Sequence, residues 1–479
     1  MQKSKLLDTL ITFSQKELTR FEDFVKSPFF NKNTDLVLLF LYVKKFAPRF
    51  NNKKLSREIA FKELFPSEKF NEKKLGYLMS DLVELVDSFI SYNCYTSDAI
   101  LPVYHQLITY NERHLDKNYN NSKKKAELIQ KKYPYWDTTY FFNQYLLASS
   151  SNLFFDKQKK HRYDQSLQNI ADNLDLFYLA LKLKYSCEII NRQNVVAVDY
   201  RLKLLNEVLS YIKNNDLGEI PAISIYYEIL MTLLESDDIS HFNNLKKLLK
   251  ENADKFPIHE TKDMFDYARN YCLKKINTGN HEFLHELFDI DKTLLEKEII
   301  FVEKYLSPWT YKNMTTVALR LQEFDWAKSF VENYRNRLAP EYRENAYAFN
   351  LANIHFYRKE YSKAIRLLQK VEFSDVYYHL DSKTMLLKIY YETEDYDALS
   401  SLLDAFYMSL KRNKLVSDYM RTTYINLIRF IRKAIKLRDN ETDKFENLIV
   451  KIKETKKVAN LNWLIKQLQL KVDKKRSFA

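Results

Sequence analysis

Only 3 glycines stand in 479 residues, at Gly76, Gly218 and Gly279, where average usage would supply roughly 33. Glycine provides the left-handed backbone conformations used by tight turns, bulges and phosphate-cradling loops. A chain nearly without it is poorly equipped for β-rich folds, dinucleotide fingerprints and P-loops. Long helices joined by short polar turns are what remains, so an all-α fold is expected. Hydrophobic residues at 46% and charged residues at 29% provide for both a core and a solvated surface.

The apolar periodicity agrees. Over residues 75–90, Leu75, Leu78, Met79, Leu82, Leu85, Val86 and Phe89 recur at steps of three and four, one stripe of a helix. The same spacing returns over 202–212, 242–249, 349–356 and 424–435. No sustained strand alternation is present. The β-branched stretch 195–198 is expected to start a helix that runs on over 200–212. Cys94, Cys187 and Cys272 lie far apart in helical apolar patterns, which predicts buried small hydrophobes and no disulfide or metal role. The N-terminus begins like a signal peptide, but Asp8 interrupts the apolar stretch and no small-residue cleavage site follows. The longest apolar run, 36–43, is less than half of a membrane span. A cytoplasmic protein without membrane attachment is expected.

Four segments are expected. Residues 1–98 form an N-terminal helical unit with turns at 27–33 and 65–68. The adjacent Phe29 and Phe30 in the first turn predict an anchor packed under neighbouring helices, the alternative being an exposed docking plug. Residues 99–305 form helical-hairpin repeats, with prolines expected to stop the second helix of each hairpin. Pro66, Pro102 and Pro134 are 36 and 32 apart, Pro221 and Pro257 36, and Pro308 and Pro340 32, near the 34-residue pitch of a helix-turn-helix repeat. Residues 306–410 carry the sharper repeat, and 411–479 a basic cap.

In that third segment Tyr311, Met314, Thr315 and Ala318 are followed by Phe324, Ala327 and Val331, with Pro340 closing. Ala348, Leu351, Ala352 and His355 are followed by Tyr361, Ala364 and Leu368. Leu386, Leu387 and Tyr390 lead to Tyr396 and Ala398, with a turn one residue short. The marker alanines 327, 364 and 398 lie 37 and 34 apart. This pattern resembles the tetratricopeptide repeat, over about a fifth of the chain and without glycine at its small positions. The resemblance implies an α-solenoid of stacked helical hairpins whose first helices line a groove. Lys312, Asn313, Asn350 and Asn353 would then face it, similar to the way some members hold a peptide's terminal carboxylate; the alternative is four solvated polar positions.

Charge is segregated. Residues 411–479 hold 19 Lys/Arg and 7 Asp/Glu, a net of +12, against +13 for the whole chain. Arg429, Arg432, Lys433, Lys436 and Arg438 are expected on the outer face of one amphipathic helix, with Lys451, Lys456 and Lys457 on the next. Such a surface suits a polyanion, or only caps the solenoid. A smaller basic cluster, Lys157, Lys159, Lys160, His161 and Arg162, is expected in a turn.

One enzyme-like motif is present. His281, Glu282 and His285 match H-E-x-x-H, the zinc-hydrolase helix with two imidazoles on one face. Against it, Glu286 follows the second histidine, Phe288 stands where one longer form needs glycine, and only Glu303 offers a third ligand. No nucleophile-elbow, Walker or kinase signature is present. The expected function is a non-catalytic protein–protein interaction scaffold, with no cofactor and no small-molecule substrate. An RNA- or DNA-associated protein using the basic C-terminus is the alternative, and a zinc hydrolase the third.

Overall fold

A computed structural model of the protein describes residues 1, 3–157, 163–195, 199–215, 217–369, 371, 376–438, 441–455 and 457–476. Among these residues are 23 α-helices and no strand. Isolated bridges join Val302 to Tyr305 and Leu306 to Leu338. The chain divides into two compact units, Met1–Tyr226 and Tyr227–Ala479.

The first unit holds α1 (Lys5–Leu10), α2 (Gln15–Lys26), α3 (Thr34–Lys44), α4 (Arg57–Leu64) and α5 (Glu72–Ser97). After them come α6 (Leu101–Glu112), α7 (Asp116–Lys132), α8 (Thr138–Lys157), α9 (Gln165–Val195), α10 (Leu205–Asn214) and the start of α11 (Pro221–Leu234). Side-chain caps set several of these starts. Ser14 accepts from the Glu17 amide at 3.2 Å while the Glu17 carboxylate accepts from the Ser14 amide at 2.7 Å, a reciprocal pair that satisfies two orphan donors of α2. The apolar stripe of α5 is buried at Leu75, Leu78, Met79, Leu82, Val86 and Phe89, with Leu85 at its edge. It closes a core drawn from residues 1–89. A separate cluster of Ile100, Val103, Leu107, Tyr119 and Ala126 joins α6 to α7. There Tyr119 stacks on Phe154 at 4.0 Å and donates to the Ser150 carbonyl at 3.0 Å.

The second unit continues α11 and adds α12 (Ile239–Asn252), α13 (Ile258–Asn277), α14 (Phe283–Glu296), α15 (Pro308–Arg320), α16 (Phe324–Asn333), α17 (Pro340–Tyr357) and α18 (Tyr361–Leu368). It ends with α19 (Val376–Glu392), α20 (Tyr396–Arg412), α21 (Asp418–Ala434), α22 (Thr442–Glu454) and α23 (Leu461–Arg476). Within 308–412 each helix packs on its hairpin partner, and α17 also packs on both α15 and α19. Pro308 and Pro340 open α15 and α17. They occupy the first helical turn, where a missing amide costs nothing. Proline here starts first helices; it does not terminate second ones. Two other expectations also shift. The helix expected from residue 200 begins at Leu205, and 196–198 lie outside the described residues. Cys187 and Cys272 are buried, but Cys94 is exposed.

Left-handed turns survive the shortage of glycine. His114, Glu298, Gln322, Lys359 and Glu394 take φ of 57, 54, 65, 61 and 59°, as Gly279 does at 100°. In each case the next amide reaches back five residues to a helical carbonyl. The bonds are Leu115 to Tyr110, Asn280 to Lys275, Ile299 to Leu294, Glu323 to Ala318, Glu360 to His355 and Asp395 to Tyr390, at 2.9–3.0 Å. This is the six-to-one closure of a helix C-terminus, which usually takes glycine because Cβ crowds the left-handed conformation. The turns also fix register. The fifth residues after Gln322 and Lys359 are Ala327 and Ala364, both 0% exposed. The fifth after Glu394 is Leu399, also 0% exposed, whereas Ala398 is half-buried. The repeat marker expected at Ala398 therefore belongs one residue later.

One ion pair lies deep between α13 and α14. Arg269 Nε stands 2.8 Å from the Asp291 carboxylate, which is 1% exposed, and both atoms lack a well-aligned hydrogen bond. Burial pushes the Asp291 carboxyl up to about 6, with the Arg269 guanidinium opposing. Between its ordinary value near 3.8 and about 6, the folded protein holds more protons there than the unfolded chain. Its contribution to stability falls as pH rises through that window.

Two predictions follow from these features. Gln322→Gly and Lys359→Gly, both at exposed positions, each raise stability by about 0.5–1 kcal/mol by relieving the left-handed backbone. Equilibrium denaturation checks this, and an unchanged or lowered midpoint refutes it. Arg269→Met costs about 3 kcal/mol at pH 7.5 by stranding a buried carboxylate. That cost shrinks at pH 4.5, where Asp291 takes up a proton. A cost independent of pH over this range contradicts the charge account.

Candidate functional site

The four residues expected to line a groove are placed differently by the packing. Lys312 reaches from α15 to α19, where its ammonium meets the Asp381 carboxylate at 2.5 Å, and its side chain is 13% exposed. It also lies over the Trp309 ring at 4.4 Å and the Tyr378 ring at 5.6 Å. Tyr378 donates to the Pro308 carbonyl at 2.8 Å, a second direct tie between α15 and α19. Asn350 is 0% exposed and donates to the Ala346 carbonyl at 2.8 Å. Asn353 is 7% exposed and meets Thr316 on α15 at 3.5 Å. Only Asn313 is exposed. Lys312, Asn350 and Asn353 thus lie largely in the interior, and Asn313 faces solvent. The cause is tertiary: a lysine paired with a carboxylate 69 residues away carries no spare charge.

The zinc-like motif is split by a helix boundary. His281 lies in the turn before α14, and His285 in its first turn; both are exposed. The carbonyls of His281 and Glu282 accept three residues on, from Leu284 and His285 at 3.1 Å. The segment is thus a tightened turn leading into α14, with Glu282 already in the right-handed helical conformation. Glu286 pairs with Lys246 at 2.5 Å. Among the described residues, no three His, Cys, Asp or Glu donors lying within 4.8 Å of one another include either histidine.

The basic C-terminus is different. Arg429, Lys433 and Lys436 are exposed at steps of four and three, along the outer side of α21 and the turn after it. The opposite side, Leu427, Ile428, Phe430, Ile431 and Ala434, is buried in a core shared with α19, α20, α22 and α23. Lys451 and Lys453 are exposed on α22. No carboxylate lies within ion-pair distance of these five bases among the described residues. Arg432 is diverted, pairing with Asp404 and lying 5.5 Å over Tyr407. Arg438 is exposed, and its amide donates to Glu441 at 3.0 Å. Lys457 is exposed and stands 5.4 Å over the ring of Tyr419, itself 61% exposed. The carbonyl of Lys457 accepts from Asn426 at 2.8 Å, which fixes it beside α21 one turn before Arg429. Lys456 lies outside the described residues, as do 159–162 of the smaller basic cluster; Lys157 closes α8 and donates to the Asn111 carbonyl.

Features elsewhere in the chain also stand out. Phe30 stacks on Phe24 at 3.9 Å and meets Tyr92 at 5.5 Å, as an anchor should, but Phe29 is 87% exposed with its ring 5.0 Å from Phe30. The expected buried pair is half a plug. Lys388 is pushed down to about 8 by burial, against the opposing charges of Glu392 and Asp381. Glu392 in turn accepts from Trp463 at 2.8 Å and from Tyr361, tying α18 and α23 to α19. In the first unit a cleft of about 720 Å³ opens among α7, α8 and α9, lined by amides such as Gln130, Gln144 and Asn169 and by both charge signs, Lys123 and Glu127. No helix among the described residues is long and apolar enough to cross a membrane. Compared with known families, with characterised proteins and with solved structures, the chain finds no match.

Proposed function

We propose that this protein is a non-catalytic interaction scaffold, an α-solenoid of tetratricopeptide-like hairpins, whose C-terminal helices engage a polyanion, RNA or DNA. The observation that carries this is the row Arg429, Lys433 and Lys436, exposed and without a facing carboxylate among the described residues. Other bases of the second unit are matched by acids, as in Arg335 with Glu344 and Lys363 with Glu360. Bases left facing solvent attract phosphates, and binding gains free energy from released counterions. The adjacent Tyr419 and Lys457 add a ring on which a base can stack. A solenoid needs no active-site cavity for this work; its rigid helices hold the bases at fixed spacing.

A second contact, with protein, is favoured by Phe29. A phenylalanine exposed at 87% on a stacked aromatic base is a rigid apolar knob, of the kind that seats in a partner's pocket.

Each contact has its own test. In fluorescence anisotropy, a mixed-sequence 20-mer of RNA or DNA binds with an affinity that falls steeply with salt. Arg429→Glu, Lys433→Glu and Lys436→Glu together abolish that binding without loss of helicity, and single alanine substitutions lower the log–log salt slope by about 0.7–0.9 each. Salt-insensitive binding, or binding untouched by the triple variant, rejects the polyanion role. For the knob, Phe29→Ser changes stability by less than about 0.5 kcal/mol, while Phe30→Ala costs about 2 kcal/mol through its stack on Phe24. Equal costs in urea denaturation refute the division into knob and anchor.

A further inference from the structure

Between α11 and α12, a 17-residue span gathers Glu228, Glu235, Asp238, His241 and Asn244. His241 is mostly buried, its side chain 15% exposed, and its Nδ1 lies 2.6 Å from the Glu228 carboxylate. Asn244 holds the other oxygen of Glu228 at 3.1 Å, so the carboxylate is itself oriented. A carboxylate that accepts from Nδ1 fixes the tautomer and leaves the Nε2 lone pair to face outward. Facing it are Glu235 at 3.8 Å and Asp238 at 3.9 Å, and the three donor atoms lie within 4.8 Å of one another. Both carboxylates stand beyond direct hydrogen-bond distance of Nε2. Among the described residues no lysine or arginine pairs with Glu228, Glu235 or Asp238.

The turn that carries the two carboxylates is held from several sides. The Glu235 amide donates to Met231 at 2.7 Å and the Asp238 amide to Glu235 at 3.0 Å. The Ser236 carbonyl accepts from Tyr271 at 2.9 Å, and Asp237 pairs with Lys275 at 3.1 Å. One oxygen of Asp238 caps α12 through the Ser240 amide at 2.9 Å, and its other oxygen faces His241.

We infer that Glu235, Asp238 and His241 form a binding site for one divalent transition-metal ion of the Zn²⁺ type, with Glu228 as the residue that positions the histidine. One imidazole and two carboxylates are a donor set for such ions, with at least one coordination position left to water. Bonds of about 2.0–2.2 Å in a tetrahedral site set neighbouring donors about 3.4 Å apart. Small rotations of the exposed Glu235 and Asp238 side chains close the remaining gap. The ion would staple α11 to α12 across their turn, and this site is separate from the H-E-x-x-H segment.

The test is calorimetric titration of the full chain, cysteines reduced, with Zn²⁺ alone. One equivalent binds. His241→Ala and Glu235→Ala each weaken it at least tenfold, Glu228→Gln weakens it about tenfold or more, and His281→Ala leaves it unchanged. Glu235 is an exposed turn residue, so its substitution tests the site even if His241→Ala disturbs folding. Co²⁺ provides a second measurement: the wild-type chain develops visible d–d absorption that Glu235→Ala removes. No uptake at millimolar Zn²⁺, or uptake undiminished by both alanine variants, overturns the site and leaves an ion-pair cluster in its place.

Discussion

Helix C-termini closed by a left-handed residue set the geometry on which the second unit depends. At Gln322, Lys359 and Glu394 the backbone takes a conformation that glycine would adopt at lower cost. The six-to-one bond that follows fixes where the second helix begins. From there the position five residues on is always interior: Ala327, Ala364 and Leu399. Two of these are small, which lets the paired helices approach closely, as Ala318 and Ala352 do on the first helices. The third is a leucine, so the last hairpin keeps the register while changing the filling. Tertiary burial outweighs local backbone preference at these turns.

Polar groups divide into two populations. One is spent inside the fold. Lys312 with Asp381 joins first helices two hairpins apart, Glu392 ties α18 and α23 to α19, and Arg269 offsets the buried Asp291. Such pairs are costly to desolvate and more costly to break, so they specify one arrangement more than they add to net stability. The other population faces water. On α21 the apolar side is consumed by the C-terminal core, and Arg429, Lys433 and Lys436 face no carboxylate among the described residues.

The two zinc-like signals in this chain show how spacing and geometry part company. The i,i+4 histidines at 281 and 285 straddle the start of α14, with His281 in the turn before it. Glu235, Asp238 and His241 stand three residues apart, but their geometry comes from a turn between two helices and not from one helical face. A carboxylate seven residues upstream, Glu228, orients the ring.

What the chain settled by itself was its class: three glycines and unbroken three-and-four periodicity left helices as the only economical structure, and the stripe of α5 is buried almost residue for residue. Apolar periodicity is a local property, so it survives in the order of amino acids. The outward face of Arg429, Lys433 and Lys436 was legible for the same reason, since it is the complement of an apolar stripe. The fate of Lys312, Asn350 and Asn353, the exposure of Phe29 and Cys94, and the position of Leu399 were not. Each depends on contacts with residues tens of positions away or on the conformation of a single turn residue. Burial and charge pairing are properties of the packed molecule, and only the tertiary structure decides them.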